Sequence, residues 1–399
     1  MTSFPLTQSN ITISPKQIHI NFLYGNEEND PNKYISINEK TQGYLSKAKQ
    51  LINDNYEQWD IYKKYTNPYE FIHTAYSKGC YVSTLRPISR AYYKMVELIK
   101  IYDLFKSYRY RPMRSFHLAE GPGGFIEAFI DKRNSSLDEY YGMTLISKDD
   151  SVPGWKKGNY LKNKSSNVIF EYGTTEDGDL YNYKNLEYIK YKYAGQFDIV
   201  TGDGGFDFSD DFSHQEQNAI RLIFSQMVFA LFLQKDEGTF ILKVFDMFSK
   251  PTLDVIFMLR TYYKEVFVCK PFTSRFANSE KYIVCKGFKR DKFMQSAGKL
   301  ENVFKVFHAL NFEKIHIASF LQCEYDYMFV KEMQKINTVL AQQQLEVIYN
   351  TVGYMYRNGK HHRGDHEKMQ NVEKCITWCK QHNIPYNNYK KGNIFLSSR

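Results

Sequence analysis

Short apolar runs alternate with segments of helical period through the middle of the chain. The apolar runs predict strands at residues 115–119, 139–145, 167–172, 197–201, 239–245, 265–270 and 281–287. A helix is predicted at about residues 215–234, where the apolar side chains that share one face are Ile220, Ile223, Phe224, Met227 and Leu231. This alternation predicts a doubly wound α/β fold.

The flanking regions carry a different pattern. Residues 1–40 are mostly polar and predict a loosely ordered extension or a few short elements, whereas residues 41–105 return to helical spacing. After about residue 289 the strand signals fade, and residues 324–350 predict a long helix. We therefore expect three regions, namely a partly helical N-terminal extension over 1–80, a central domain over 81–290 and a helical C-terminal accessory region over 291–399.

The chain has 399 residues, and none of its apolar runs approaches the roughly 18 residues that a membrane span needs. The first ten residues lack the basic and apolar stretches of a signal peptide. The six cysteines are scattered and form no CxxC pair, which favours reduced thiols. We expect a soluble intracellular protein with no membrane partner, in the cytoplasm or, if the source is a virus, in a viral factory or virion, with the nucleus as an alternative.

The charge balance is basic, with a net charge of +9 and a sequence pI near 8.9. Such a balance suits a polyanionic partner, because lysines and arginines that neutralise phosphates release counterions. A surface evenly rich in lysine would give the same total. The 33 tyrosines and 30 phenylalanines offer candidate platforms for base stacking, although most aromatic rings in a chain of this size belong to the core.

A glycine-rich segment, A-E-G-P-G-G-F at 119–125, joins the first predicted strand of the central domain to a helix. Glycines let the backbone approach a ligand, and the first N–H groups of the helix can receive an anionic group such as an amino-acid carboxylate. The segment lacks the G-K-[ST] ending of a phosphate-binding loop and the spacing of the dinucleotide motif. S-adenosyl-L-methionine is therefore the favoured ligand, and a purely structural turn is the alternative.

Three charged residues are expected to meet at one edge of the sheet. Asp203 ends the fourth predicted strand, Lys243 ends the fifth, and Glu280 precedes the last strand. Open α/β sheets bind ligands at the carboxyl ends of their strands. Lys94 can join them from the preceding helix, which gives a Lys-Asp-Lys-Glu tetrad. Each charge taken alone could equally cap a turn or lie in solvent.

Several motifs together resemble a known family. They are S-R-A-Y-Y-K at 89–94, G-P-G-G-F at 121–125, D-G-D at 177–179, G-D-G-G-F at 202–206, I-L-K-V-F-D at 241–246 and K-P-x-T-S-R-x-x-N-S-E at 270–280. On these residues the chain resembles the FtsJ-like 2'-O-ribose methyltransferases, and among them the eukaryotic and viral enzymes that modify the mRNA cap. The resemblance covers about residues 85–290. It implies a Rossmann-like methyltransferase fold, with a mostly parallel seven-stranded sheet whose last strand is antiparallel.

The resemblance also implies roles for individual residues. The catalytic tetrad would be Lys94, Asp203, Lys243 and Glu280. The residues implied to contact S-adenosyl-L-methionine are Ser89, Ala119, Glu120, Gly121, Pro122, Gly123, Gly124, Phe125, Asp179 and Leu180. Arg275 and Asn278 fall where the family approaches its RNA.

Two positions depart from the family pattern. His117 stands where an acidic residue usually ends the first strand, and Glu120 replaces a residue that is often small. The Glu120 carboxylate lies three residues further along the chain. It could take over the contact with the ammonium group of the cofactor.

The expected chemistry requires a ribose oxygen aligned with the methyl carbon and relieved of its proton. Lys243 is the predicted general base. A lysine acts as a base only in its neutral form, which burial and the second ammonium group of Lys94 favour. Asp203 and Glu280 would orient the two lysines and the hydroxyl. This scheme uses no metal.

Other segments have competing interpretations. His361, His362 and His366 with Asp365 could hold a divalent ion or lie in a solvated loop. Cys375 and Cys379 are spaced for one helical face and are expected to be structural, and the basic segment 106–114 could contact phosphates or lie in solvent. Trp155, with Lys156 and Lys157, is a candidate for a guanine pocket or a core residue.

The resemblance implies an S-adenosylmethionine-dependent enzyme acting on capped mRNA, with other capping or transcription proteins as candidate partners. Two alternatives remain, namely a 2'-O-methyltransferase of ribosomal or transfer RNA, and a noncatalytic RNA-binding subunit that keeps the fold. Relatives that have lost activity usually lack a lysine or a glycine of these motifs. All four tetrad positions are filled here, which favours the enzyme.

Overall fold

A computed structural model describes residues 1–8, 11–24, 36–77, 80–149, 152–205, 214–310, 312, 315–358 and 365–387. Its centre is an eight-stranded sheet with the strand order β1-β8-β9-β7-β6-β3-β4-β5. These strands are β1 (Thr2–Leu6), β3 (Arg114–Leu118), β4 (Glu139–Met143), β5 (Val168–Glu171), β6 (Phe197–Gly202), β7 (Gln234–Val244), β8 (Tyr263–Lys270) and β9 (Lys281–Phe288). A separate two-stranded sheet pairs β2 (Ile18–Tyr24) with β10 (Ile315–Leu321).

The sheet confirms the predicted mixed topology. Strands β5, β4, β3, β6 and β7 are paired in parallel, whereas β9 runs antiparallel to both β7 and β8. The sheet has one strand more than the seven expected, because residues 2–6 pair antiparallel with β8 at its edge. The polar N-terminal extension therefore forms short elements, the second of the two alternatives.

Helices cover both faces of the sheet. They are α1 (Glu39–Asn53), α2 (Tyr56–Thr66), α3 (Ala91–Ile101), α4 (Gly124–Arg133), α5 (Gly158–Lys164), α6 (Tyr183–Tyr193), α7 (Gln215–Leu233), α8 (Lys250–Tyr262), α9 (Arg290–His308), α10 (Tyr327–Asn358) and α11 (Asp365–Gln381). Neighbouring strand residues point to opposite faces. Ile199 joins a core with α3, α4 and α11, and Val200 joins a core with α6, α7, α8 and α9.

The two ends of the chain pack on one another. Helices α1 and α2 lie against α10, with a small core of their own around Trp59 and Ile348. The C-terminal region is mainly helical as predicted, but it also contains β10, which the local pattern did not reveal because its partner strand lies almost 300 residues earlier. Within the described ranges, no helix is both long and apolar enough to cross a bilayer.

Candidate active site

A cavity of about 830 Å³ opens at the carboxyl edge of the sheet. Its floor includes Ala119 after β3, Asp203 after β6 and Lys243 in β7. The other predicted site residues on its wall are Ser89, Lys94, Gly121, Pro122, Asp179, Leu180, Arg275, Asn278 and Glu280. Glu120, Gly123, Gly124 and Phe125 do not line it. For the ligands that are expected there, we call the part near residues 119–122 and 178–181 the cofactor half, and the part near α1, α2 and α10 the acceptor half.

Asp203 and Lys243 are brought together by two adjacent parallel strands, in which Gly202 pairs with Leu242. The Lys243 Nζ atom donates to the backbone oxygen of Asp203 at 2.6 Å and lies 3.3 Å from its carboxylate Oδ1. Both side chains are mostly buried and line the cavity. The arrangement holds the lysine amine on the floor between the two halves.

Lys94 and Glu280 form a second buried pair. Lys94 lies in α3, and Glu280 directly precedes β9. The Lys94 Nζ atom donates to Glu280 Oε2 at 2.7 Å. Burial lowers the pKa of Lys94, and the Glu280 carboxylate opposes that shift. Burial would raise the pKa of Glu280, but the Lys94 ammonium outweighs it and keeps that pKa well below the ordinary value. Glu280 is therefore ionised at neutral pH.

Tyr282 in β9 links the two pairs, and the sequence analysis missed it. Its hydroxyl lies 3.0 Å from Asp203 Oδ1 and 3.3 Å from Glu280 Oε1. Burial, and then the Asp203 carboxylate, raise the pKa of Tyr282 well above 10, so that the hydroxyl remains a donor. The available signal was its spacing, because Tyr282 follows Glu280 by two residues and so points to the same face of the strand.

Glu97 fixes the segment that carries Glu280. Its carboxylate accepts hydrogen bonds from the backbone N–H of Phe272 at 2.7 Å and of Thr273 at 3.2 Å, and from Trp378 Nε1 in α11 at 3.3 Å. Glu97 lies one helical turn after Lys94 in α3. The two members of the Lys94–Glu280 pair are thus also connected through this buried carboxylate.

Arg275 lies on the cavity wall in an ion pair. Its guanidinium donates to Glu70 through Nη2 at 2.6 Å and Nε at 2.9 Å, and Arg90 is a second cation on the same carboxylate. Burial would raise the pKa of Glu70, but Arg90 and Arg275 together hold it well below the ordinary value. Arg275 therefore attaches the 271–280 segment to the N-terminal region.

Lys270 orients Asn278 on the cavity wall. The Lys270 Nζ atom donates to the Asn278 side-chain oxygen at 3.0 Å, to its backbone oxygen at 2.7 Å and to the Glu280 backbone oxygen at 2.8 Å. Burial, and then Lys281, lower the pKa of Lys270 well below the ordinary value. A lysine amine that donates to Asn278 Oδ1 leaves the amide nitrogen as the free end.

The glycine-rich turn is a tight backbone wall. A Cβ atom on Gly121 would lie 2.7 Å from the backbone oxygen of Gly154, so residue 121 has no room for a side chain. Gly123 has φ +112°, and a Cβ there would lie 2.4 Å from Leu161 of α5. Gly121 therefore shapes the cavity itself, whereas Gly123 shapes the packing of helices behind it.

Glu120 does not line the cavity, and one of its carboxylate oxygens contacts the chain itself. Its Oε1 atom accepts a hydrogen bond from the Phe125 backbone N–H at 2.6 Å, so the chain caps the N-terminus of α4 with its own carboxylate. The side chain is 3% exposed, and its Oε2 has no partner among the described residues. Burial, and then Asp203, raise the pKa of Glu120. The N-terminus of α4, which the sequence suggested would bind an anionic group of the ligand, is therefore partly occupied by the carboxylate of Glu120.

His117 lies inside the protein. Its ring nitrogens are each 2.9 Å from a hydroxyl, those of Ser115 and Thr201, and its ring packs on Phe129. Burial lowers the pKa of His117 to about 3, so the ring is neutral. Its position in the core explains why it cannot replace an acidic residue at the cavity.

The rest of the cofactor half combines an apolar slot with a few polar groups. Thr144, Leu145, Val152, Pro153 and Leu180 line the slot. Ser89 Oγ is buried without a partner among the described residues, and Asp179 Oδ1 accepts from the Tyr181 backbone N–H at 2.8 Å. Such a slot, with polar groups at its ends, suits an elongated small molecule.

The acceptor half is built largely by residues that the sequence analysis did not select. Helices α1 and α2 contribute Lys49, Ile52, Tyr56, Trp59, Asp60 and Lys63, and α10 contributes Gln344. Lys49 Nζ lies 2.6 Å from Asp246 Oδ2, and Lys281 lies 3.0 Å from the other oxygen. This buried contact fixes α1 to the end of β7.

The remaining predicted segments lie away from the cavity. Trp155 stacks on Phe170 at 4.2 Å between ring centroids, which supports the core interpretation. Cys375 and Cys379 are buried in α11, as expected. In the basic segment, Arg114 pairs with Glu139 at 2.7 Å. The histidine segment 361–364 lies outside the described residues.

Comparison with known proteins finds one matching sequence family and several similar proteins. The sequence family described as FtsJ-like methyltransferase matches residues 87–288. Among solved structures, a ribosomal RNA methyltransferase from Plasmodium falciparum aligns with a TM-score of 0.36 and 21% identity, covering 50% of this chain and 97% of that one.

Several relatives are cap-specific mRNA (nucleoside-2'-O-)-methyltransferases. Methyltransferase 1 of Caenorhabditis elegans is 28% identical over 315 residues, which are 70% of this chain and 33% of that protein. Methyltransferase 1 of Leishmania braziliensis is 31% identical over 254 residues, which cover 60% of this chain and 61% of that protein. An inactive protein 1B of Caenorhabditis briggsae is 27% identical over 354 residues, covering 79% and 40%. The chain thus spans a third to three fifths of these relatives.

Proposed function

The chain belongs to the FtsJ-like methyltransferase family, and on this premise we propose that it is a cap-specific mRNA 2'-O-methyltransferase. It would move a methyl group from S-adenosylmethionine to the 2'-hydroxyl of a cap-proximal nucleotide. The observation that carries the proposal is the pair of buried contacts, Lys94–Glu280 and Lys243–Asp203, joined by Tyr282 on the floor between the two halves. The relatives named above supply the substrate class.

The cofactor half fits S-adenosylmethionine. Its apolar slot can receive an adenine ring, the Asp179 carboxylate can accept a hydrogen bond from a ribose hydroxyl, and the unpartnered Ser89 hydroxyl can hydrogen-bond the methionine end. Gly121 lets that end approach the backbone. Glu120 is already engaged with α4, so in this proposal it supports the turn and does not bind the ammonium group.

The bound cofactor supplies a methyl carbon that carries a good leaving group. The work of the protein is to orient the acceptor and to move one proton. In the proposed step the ribose 2'-oxygen forms a bond to the methyl carbon, the carbon–sulfur bond breaks, and the 2'-hydroxyl proton passes to Lys243 Nζ. The Asp203 backbone oxygen, 2.6 Å from that nitrogen, aims the amine at the acceptor.

Lys94 and Glu280 complete the site. The Lys94 ammonium is neutralised by Glu280, which Ser274 Oγ also approaches at 3.0 Å. The pair can hold the ribose hydroxyl from the side opposite Lys243, with Tyr282 keeping both carboxylates at fixed spacing. Burial makes these contacts stronger than they would be in water.

Labelled methyl transfer to short RNAs tests the proposal. We expect transfer to an oligonucleotide with a guanosine cap, little to its uncapped twin, and none to a capped RNA already methylated at the 2' positions next to the cap. Equal transfer to capped and uncapped RNA would replace the cap assignment with a ribosomal or transfer RNA substrate. Cofactor binding without transfer to any RNA would instead indicate a noncatalytic subunit.

A further inference from the structure

One face of the N-terminal helices forms the wall of the acceptor half. Lys49, Ile52, Tyr56, Trp59 and Lys63 all line the cavity, at intervals of three or four residues through α1 and α2. Within each helix that spacing puts its own residues on one face, and both faces line the cavity. The wall therefore presents an ordered set of side chains, and the buried Lys49–Asp246 contact holds it at a fixed distance from Lys243.

The cations that line the acceptor half already have carboxylate partners. Lys49 contacts Asp246, Lys63 contacts Asp60, and Arg275 contacts Glu70. A paired cation attracts a phosphate less strongly than a free one, because the neighbouring carboxylate repels the incoming charge. The acceptor half is therefore better suited to an uncharged, flat group than to a phosphate.

Tyr56 and Asn278 offer the two contacts that a flat heterocycle needs. The Tyr56 side chain is 48% exposed and lines the cavity, so about half of its surface is accessible to a ligand. The Asn278 amide is oriented by Lys270, and its Nδ2 has no acceptor among the residues that the structure describes. An accessible aromatic ring and a directed N–H donor together match a nucleobase, which stacks and accepts hydrogen bonds.

We propose that Tyr56 is the stacking platform for a nucleobase of the acceptor RNA and that the Asn278 amide donates to the same base. The inference rests on the proposed function and deepens it, because it assigns the acceptor half to a base and not to the phosphate backbone. The base belongs either to the cap guanosine or to a transcribed nucleotide next to it. The chemistry of recognition is the same in both cases.

The primary test compares Tyr56→Ala with Tyr44→Ala, using fluorescence anisotropy with capped and uncapped oligonucleotides of one sequence. Tyr44 is also an exposed tyrosine of the N-terminal helices, but it does not line the cavity. We expect Tyr56→Ala to weaken RNA binding about tenfold, the range for loss of one stacked base, while Tyr44→Ala has no effect. Tyr56→Phe should restore the affinity, since it keeps the ring.

Salt dependence separates a base from a phosphate. The slope of log K against log salt should stay unchanged in Tyr56→Ala, because a stacked base releases no counterions. Asn278→Ala should weaken binding by a smaller factor with the same slope. Lys63→Ala, with Lys64→Ala as its neighbour control, should leave the slope unchanged as well. A Tyr56→Ala protein that binds as well as Tyr44→Ala, or a slope reduced by about one in Lys63→Ala, would overturn the inference.

The two RNAs identify the source of the base. If Tyr56→Ala removes the advantage of capped over uncapped RNA, the base is the cap guanine. If both RNAs lose affinity by the same factor, the base belongs to the transcribed strand. These readouts measure binding only, so a protein that transfers no methyl group but still shows the Tyr56 effect would contradict the proposed function and leave this inference standing.

Discussion

The two halves of the cavity are constructed from different parts of the chain. The cofactor half consists mainly of backbone turns at strand ends, where Gly121 fits against Gly154 with no space for a side chain. The acceptor half consists mainly of helix side chains, from α1, α2 and α10. A site built from backbone has a fixed shape that suits a small ligand, whereas a wall of helix side chains can change without disturbing the sheet.

The largest effect is expected at the boundary between the halves. Lys243→Ala removes the proposed base and should lower the rate of methyl transfer by about 10³-fold, within the range for a general base. Cofactor and RNA affinities should stay within a fewfold, as measured by calorimetry and anisotropy. Lys235→Ala, on the same strand but away from the cavity, is the control. Loss of cofactor binding in Lys243→Ala would show that the residue is structural.

The cofactor half should be broken selectively at Gly121. The Cβ of Gly121→Ala would meet the Gly154 backbone oxygen at 2.7 Å and Thr144 Oγ1 at 3.0 Å, and overpacking of this kind costs about 1–3 kcal/mol. S-adenosylmethionine affinity should fall about tenfold or more, with RNA affinity unchanged. Gly43→Ala in α1 is the matched control, because apart from its chain neighbours and its own helix backbone no atom lies within 4 Å of the added carbon. If Gly121→Ala binds S-adenosylmethionine as well as the unchanged protein does, the turn at 119–125 only connects β3 to α4 and does not form the binding site.

The acceptor half should be weakened selectively at Lys49. Lys49→Met leaves the buried Asp246 with Lys281 as its remaining lysine partner, so we expect the free energy of unfolding to fall by about 2 kcal/mol. RNA affinity should fall severalfold, because α1 and α2 lose their attachment, while cofactor affinity is unchanged. Denaturant titration and anisotropy measure the two effects. Lys47→Met, an exposed position of α1, should be neutral.

Acid tests the core behind the cavity, where His117 is buried. The pKa of His117 is about 3 in the folded protein, below the ordinary 6.5, so between these values the unfolded chain binds a proton that the folded chain does not. The contribution of His117 to the free energy of unfolding should therefore be fully present above pH 6.5. It should decrease as the pH falls below that value, by up to about 1.4 kcal/mol per pH unit. Denaturant titrations at several pH values give the slope of the free energy of unfolding against pH. For His117→Asn this slope should be smaller by the equivalent of about one proton. An identical slope would show that the pKa of His117 is not lowered in the folded protein.

The central sheet could be predicted because its signals are local. Short apolar runs located the seven core strands to within a few residues, with the largest difference at β7, which begins at Gln234 and not at residue 239. The turn at 202–205 and the strand lysine 243 followed from their places at strand ends. The positions of Glu120 and His117 could not be predicted in this way. Whether a side chain faces a cavity or folds back on its own helix depends on packing that no local motif encodes.

The acceptor half was missed for a related reason. Tyr56 and Trp59 lie in a helix whose period gives no hint that one edge faces a cavity built by residues 200 positions later. Pairing of β2 with β10, and of residues 2–6 with β8, likewise depends on contacts between the two ends of the chain and its centre. Long-range contacts are the part of a fold that single-sequence patterns carry least.

The Glu97 contacts bear on how this protein could be shortened or recombined. One carboxylate joins the helix of Lys94, the segment that leads to Glu280, and Trp378 of α11. A fragment restricted to residues 87–288 would leave Glu97 without the indole and Asp246 without Lys49. We therefore expect the smallest active piece to include both chain ends, and chimaeras with relatives to work only when the two ends are exchanged together.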